Sequence, residues 1–240
     1  MAVSEWAPRR FWREVVVVPE GEGFALRLDG RALRTPAKAA LRVPTPALAE
    51  ALAEEWRAVE ERVDPRLMPL TRAANAAIDK VAPQREAVVE ELAGFGASDL
   101  LCYRAEEPEG LVAHQAEAWD PLLRWAEASF DAPLAVTQGV MPVAQDERAL
   151  RRLAAPLREA DAFALTGLSD LVALSGSLVI GLAAVSRAWE PADLWARARA
   201  DEAWQEAIWG RDEEAAEAAA ARRLDFLRAA RFHALATGGA

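Results

Sequence analysis

Val15-Val16-Val17-Val18, followed by Phe24-Ala25-Leu26-Arg27-Leu28-Asp29-Gly30-Arg31, is the stretch that decides the fold. An unbroken β-branched run is stiff at χ1 and favours extended backbone over helix. Pro19 and the Gly21-Glu22-Gly23 turn stop it. Phe24, Leu26 and Leu28 then alternate with Ala25 and Arg27, a period of two that gives a strand with one buried face. Asp29-Gly30 predicts a two-residue hairpin, because a type I′ turn needs positive φ at both central positions. The chain returns through Arg31 to Thr35, turns at Pro36 and offers a short strand at Leu41 to Val43. Connections this short join antiparallel neighbours, so an antiparallel β-meander is expected.

Beyond residue 45 the apolar period becomes helical. Thr45 caps and Pro46 opens a helix whose stripe is Leu48, Leu52, Trp56 and Val59. A second helix runs from Pro69 with Leu70, Ala74, Ala77 and Val81 on one face. A third opens at Pro83 and presents Val88, Leu92 and Phe95 before Gly94-Phe95-Gly96 ends it. These helices are the nearest elements able to cover the sheet's apolar face. The remainder reads as helices at 109–130 (broken or kinked near Pro121), 146–159, 162–187, 191–209 and 212–235. In the central one Ala173, Ser177 and Gly181 form a row of small residues that would let a neighbouring helix approach closely. The expected class is α+β: residues 1–98 an α+β domain with the antiparallel sheet covered by helices, residues 99–240 an all-helical bundle.

Composition excludes several functions. The 240 residues carry a formal net charge of −10, which opposes phosphate contact and so argues against nucleic-acid binding. Association with an anionic membrane is disfavoured on the same grounds. The most apolar run, Leu171 to Val185, is shorter than the ~20 residues a bilayer span needs, and Ser175, Gly176, Ser177 and Gly181 interrupt it. Met1 to Trp6 has neither the apolar core of a secretory signal nor the Arg- and Ser-rich pattern of a transit peptide. Cys102 is the single cysteine, so no intrachain disulfide forms and a reducing compartment fits.

Catalytic chemistry is sparse. The two histidines, His114 and His233, lie far apart in sequence; with Cys102 and a carboxylate they could meet only in space, since no local ligand spacing supports a zinc site. Gly94-Phe95-Gly96 lacks the third glycine of a dinucleotide loop, and Leu182-Ala183 stands where a phosphate loop beginning at Gly176 needs Lys and Ser or Thr. Gly167-Leu168-Ser169-Asp170-Leu171 fails the nucleophile-elbow pattern at its last position. No cofactor is implied, and the chain reads as no enzyme. The alternative is a small hydrolase or transferase using carboxylates and arginines in an interdomain cleft; a pocket with a strongly perturbed carboxylate would favour it.

Two features exceed what a core demands. Arg72, Asn75 and Asp79 share one helical face at i, i+3, i+7, a row suited to an interdomain polar tie between the sheet layer and the helical part. In Asp201-Glu202-Ala203-Trp204-Gln205-Glu206-Ala207-Ile208-Trp209-Gly210, Leu194, Ala198 and Ile208 define a stripe on which Asp201 and Gln205 fall, while Trp204 and Trp209 lie on different sides. From 201 to 217 seven acids face Arg211 alone. A solvated helix end explains such a charge run; large aromatics interleaved with it point to a protein-binding face.

Arg10-Phe11-Trp12, Leu28-Asp29-Gly30-Arg31, Arg34-Thr35-Pro36-Ala37-Lys38, Val43-Pro44-Thr45, Met68-Pro69-Leu70-Thr71-Arg72, Asp99-Leu100-Leu101-Cys102-Tyr103-Arg104-Ala105, Trp119-Asp120-Pro121 and the box from Trp204-Gln205 to Trp209-Gly210 occur in this order along the chain. Their ordered combination resembles the chaperone family that assembles the catalytic head of F-type ATP synthase. The resemblance implies an ATP-independent chaperone that holds the unassembled alpha subunit until the beta subunit replaces it; separately, the chain is expected to be a monomer. The resemblance also implies partner-binding residues in the acidic-Trp-Gln box, Glu202, Trp204, Gln205, Glu206 and Trp209, with Glu202 favoured over Asp201 and Glu206 as the acid that matters. With no presequence read at Met1 to Trp6, a bacterial cytoplasm is expected rather than a mitochondrial matrix.

Overall fold

The hairpin expected at Asp29-Gly30 forms in the computed structural model, which describes residues 8–239. Strands β1 (Val15–Glu20) and β2 (Gly23–Leu28) pair antiparallel, Val15 opposite Leu28 and Glu20 opposite Gly23. Asp29 and Gly30 adopt φ of 47° and 78°, the double positive φ of the type I′ turn. The Asp29 carboxylate accepts the backbone N–H groups of Arg13 and Glu14, and these bonds hold its pKa below the ordinary value. Strand β3 (Arg31–Ala32) pairs with the end of β2.

The fourth strand, β4 (Arg42–Val43), departs from a simple meander. It pairs with β2, Phe24 opposite Val43, on the same edge as β3. The chain between them leaves the sheet as a loop closed by the Arg34–Ala40 bridge, then returns to donors and acceptors of β2 that a two-residue β3 leaves open.

Helix α1 (Pro46–Arg57) starts where the sequence places it: the Thr45 hydroxyl accepts the Leu48 N–H at 3.1 Å and donates to the Leu235 carbonyl. It packs on β1 and β2. Helix α2 (Pro69–Ala76) has Met68 at its N-cap, which offers no side-chain acceptor. The Glu55 carboxylate of α1 does the capping instead, accepting the N–H groups of Leu70 and Thr71 and the Thr71 hydroxyl at 2.7–2.8 Å. A π-helical turn (Ala77–Val81) and a short 3-10 turn lead into α3 (Arg85–Phe95). There Val89 and Leu92 are buried, and Val88 is not.

After a two-residue β5 (Tyr103–Arg104), paired parallel with β6 (Thr137–Gln138), the chain is helical. The long α4 (Glu109–Phe130) runs unbroken through Pro121, correcting the expected break. Proline removes one N–H and frees the carbonyl four residues back, here Glu117. The Arg197 guanidinium donates to the carbonyls of Glu117 and Ala118, at 3.3 and 2.5 Å. In return Trp119 Nε1 donates to the Arg197 carbonyl at 2.8 Å. Short helices α5 (Glu147–Leu153) and α6 (Ala155–Glu159) follow. The expected 162–187 helix is two, α7 (Ala162–Ser175) and α8 (Leu178–Ser186), because Ser177 turns extended and caps α8 by accepting the Ile180 N–H. The row Ala173, Ser177, Gly181 is therefore not one helical face, although Gly181 does rest against Val172 of α7. The 191–209 segment likewise divides at Arg199 into α9 (Pro191–Ala198) and α10 (Ala200–Trp209). Helix α11 (Glu213–Ala236) ends the chain.

Two compact units result. The first takes the residues up to Arg85, Asp161–Gly167 and the residues from Arg231 on; the second takes Glu86–Ala160 and Leu168–Ala230. This differs from a single division at residue 98. The reason lies in the first core: Phe232, 1% exposed, is buried with Trp12, Leu26 and Leu48 and stacks on Phe163, so residues distant in sequence complete it. Met1 to Trp6, which reads as neither a secretory signal nor a transit peptide, lies outside the described residues. Among the described residues no helix is long and apolar enough to cross a membrane.

Candidate functional site

The row Arg72, Asn75, Asp79 acts inside the first unit. Asp79 accepts the Thr35 hydroxyl at 2.7 Å and the Ala37 N–H at 3.1 Å, tying the π-turn to the loop between β3 and β4. Arg72 is exposed, and Asn75 Oδ1 is buried without a partner among the described residues. The tie runs between the sheet loop and its own covering helices, through Asp79, and Arg72 and Asn75 add no bond to it.

In the second unit the acidic-aromatic box lies on α10, and the helix sorts its residues by face. Trp204 is half-buried against α4: a Cβ added to Gly110 would stand 2.5 Å from Trp204 Cη2, and the His114 ring lies 5.8 Å away. Only glycine at 110 lets the indole lie this close. Asp201 points the same way and accepts Gln115 Nε2 at 2.7 Å, while Gln115 Oε1 accepts the Ala105 N–H at 2.8 Å. Gln115 is 2% exposed, so its amide, satisfied at both ends, pins α10 and the segment after β5 to α4.

The other face is open. Glu202 and Glu206 flank Arg199, whose guanidinium lies 3.7 and 3.1 Å from their carboxylates. Gln205 is exposed, Ile208 is 54% exposed and Trp209 84%. The stripe Leu194, Ala198, Ile208 is thus broken: Leu194 and Ala198 are buried, Ile208 is not, because the chain changes direction at Arg199. Arg199, Asp201, Glu202 and Arg222 border a shallow cleft of about 290 Å³ whose floor includes Trp119 and Trp195.

Beside that cleft lies a group the sequence reading missed. Asp99 is fully buried. Its carboxylate accepts the Leu101 and Val179 N–H groups, each at 3.1 Å, and is further held by the Ser177 hydroxyl and the Leu178 N–H at the N-terminus of α8. Burial raises its pKa from the usual 3.8 to about 6, against the pull of those donors. Cys102, also buried, is pushed up to about 12, first by desolvation and then by the charge of Asp99, so its thiol stays protonated and inert. A pocket holding such a perturbed carboxylate would favour a hydrolase or transferase. Asp99 does not line the cleft; all of its bonds go to the protein's own donors, and it staples the 99–102 turn to α8. The acids that do line the cleft, Asp201 and Glu202, are engaged by Gln115 and Arg199.

Arg104, 7% exposed, completes this region: Nε donates to the Leu101 carbonyl at 2.9 Å and the guanidinium lies over the Trp119 ring at 5.2 Å. Its Nη2 is 2.8 Å from Asp120, an ion pair without hydrogen-bond alignment. Gln115 had a legible sign, since it shares its helical stripe with Trp119, Leu122 and Ala126, where a polar residue must find a buried partner. Asp99 had only an ordinary turn signature.

Comparison with known proteins follows the same residues. A family model described as ATP12 chaperone protein matches residues 9–127. The crystal structure of Atp12 from Paracoccus denitrificans superposes with a TM-score of 0.94 at 51% identity, covering 97% of this chain and 100% of that one. An Asp-to-Lys mutant of the same Paracoccus protein gives the same values, so that charge reversal leaves its fold in place. A protein from Agrobacterium tumefaciens, 42% identical, matches with a TM-score of 0.89 over 95% of this chain and 85% of its own.

Proposed function

Because this chain belongs to the ATP12 chaperone family, we propose that it is an ATP-independent assembly chaperone for the catalytic head of F-type ATP synthase. It binds the unassembled alpha subunit and keeps it from aggregating until the beta subunit takes its place. It acts without catalysis, cofactor or nucleic acid, as a monomer, in the compartment where the head is made: the cytoplasm of a bacterium, or a mitochondrial matrix.

The observation that carries this reading is the two-faced α10. One face is locked to α4 through Trp204 and Asp201; the other presents Glu202, Gln205, Glu206 and an almost fully exposed Trp209. An unassembled subunit exposes the apolar surface its neighbours will cover, and such surface aggregates. A holdase must shield that surface and then release it, which favours a few anchors on a solvated face over a large dry interface. Glu202 and Trp209 are the residues assigned to contact; Trp204 and Asp201 set the angle at which they are offered.

Deleting the gene tests the role in the cell. Alpha-subunit synthesis should continue, assembled head should fall, and alpha should appear in the insoluble fraction. Normal head assembly with soluble alpha in the deletion strain overturns the proposal.

A further inference from the structure

The exposed last turn of α10 also specifies the chemistry of what it takes. We propose that Ile208 and Trp209 dock an apolar side chain flanked by Arg or Lys on a protein partner. This rests on the chaperone reading and names the kind of surface the partner must bring.

Trp209 is 84% exposed and Ile208 54%, side by side where α10 stops at Gly210. Scattered exposed aliphatics are ordinary, but an exposed tryptophan is the residue type most enriched among interface anchors. Its surroundings are predominantly acidic. Trp209 follows Glu202 and Glu206 at i+7 and i+3, which Arg199 partly offsets. Next along the chain come Asp212, Glu213, Glu214 and Glu217. Asp212 is spent capping α11, accepting the Ala215 N–H at 2.9 Å. Glu213 and Glu214 suit the helix dipole but have no cation nearby in sequence except Arg211.

The bias extends to the whole unit. Of the 28 basic and 38 acidic residues, the first unit holds 15 and 13, leaving 13 and 25 to the second, so the charges are +2 and −12. The whole negative charge of the protein therefore belongs to the unit that carries Trp209. A field of that sign repels an acidic surface, a second copy of the same face, nucleic acid and anionic lipid alike, and attracts a basic one. An apolar anchor in an acidic surround selects an apolar residue in a basic surround.

The test uses the full-length protein and two labelled peptides with the same central Phe-Leu pair, one flanked by Arg and Lys, the other by Glu, read by fluorescence anisotropy. The basic peptide should bind, and its affinity should fall about tenfold between ~50 and ~300 mM NaCl as the charges are screened. Trp209→Ala should weaken it by about 30-fold, the ~2 kcal/mol threshold of a hot spot, without changing the melting temperature. Replacing Glu213, Glu214 and Glu217 together by Gln should flatten the salt dependence. Equal binding of both peptides, an unchanged affinity in Trp209→Ala, or self-association through this face in sedimentation each overturns the inference. Isolated alpha subunit separates it from the reading it rests on. Capture of alpha that is indifferent to Trp209 and to salt sinks the docking inference and leaves the chaperone role. Tight binding of the basic peptide with no capture of alpha does the reverse.

Discussion

Asp99→Asn puts the physical account of the helical unit to its hardest test, because two opposing effects meet at one carboxylate. Burial disfavours the charged form, and four donors at Leu101, Ser177, Leu178 and Val179 favour it; the balance leaves the pKa at about 6 against 3.8. The sign follows from proton counting. Between those two values the folded state binds the proton and the unfolded chain does not, so stability falls as pH rises through the window and is recovered on acidification. At 1.36 kcal/mol per pKa unit the full effect is ~3 kcal/mol, and by pH 5.5 the linkage returns about 0.8 kcal/mol of it. Going lower would approach the sequence pI of ≈ 4.9 and invite precipitation. Asn has the same shape and no titration, so the assay is thermal melting of wild type and Asp99→Asn from pH 7.5 to 5.5. Wild type should gain about 2–3 °C on the variant across that range, the scale for a chain of this size. Asp29 and Asp64, both held below the ordinary value, contribute only at lower pH and drop out of the difference. Parallel melting curves, or a wild type that loses ground as pH falls, would show that the donors outweigh desolvation and refute the reasoning.

Arg197→Leu should cost about 1–3 kcal/mol, since it leaves the Glu117 carbonyl beside Pro121 without its donor; an unchanged melt would mean that water serves as well. Trp204→Ala and Gly110→Ala should each lose ~1–3 kcal/mol, one by a void and the other by overpacking the indole, and partner capture should fall in step with stability. Glu202→Lys should behave oppositely: half-exposed and only loosely paired with Arg199, it should melt within about 1 kcal/mol of wild type and lose capture, and normal capture would make it an ordinary solvated residue. ATP with magnesium should give no thermal shift and no turnover, whereas a shift saturating at micromolar nucleotide would reveal a site, because a ligand of the native state must stabilise it.

The elements were readable where a local rule had no competitor. Asp29-Gly30 allowed one turn, Thr45-Pro46 one helix start, and the stripe Leu70, Ala74, Ala77, Val81 one buried face, all four now in the core. Reading failed where a residue is decided by a partner far along the chain. Pro121 reads as a break until Arg197 is seen on its freed carbonyl, and Ser177 reads as part of a helix until the Asp99 carboxylate is seen over the next one. The first unit closes with Phe163 and Phe232, which no contiguous domain boundary can include. In the candidate site the sequence marked the box but not its division of labour. Helical periodicity puts Trp204 and Trp209 on different sides; that Trp204 is the inward one depends on Gly110, more than ninety positions away.

The measurement that bears most directly on the chaperone role is light scattering of purified ATP synthase alpha subunit as it is diluted from denaturant, with and without this protein and with no nucleotide present. A stoichiometric amount of the chain should suppress the scattering, and added beta subunit should release alpha from the soluble complex. Scattering that rises unchanged in the presence of a folded, equimolar chain would contradict the account.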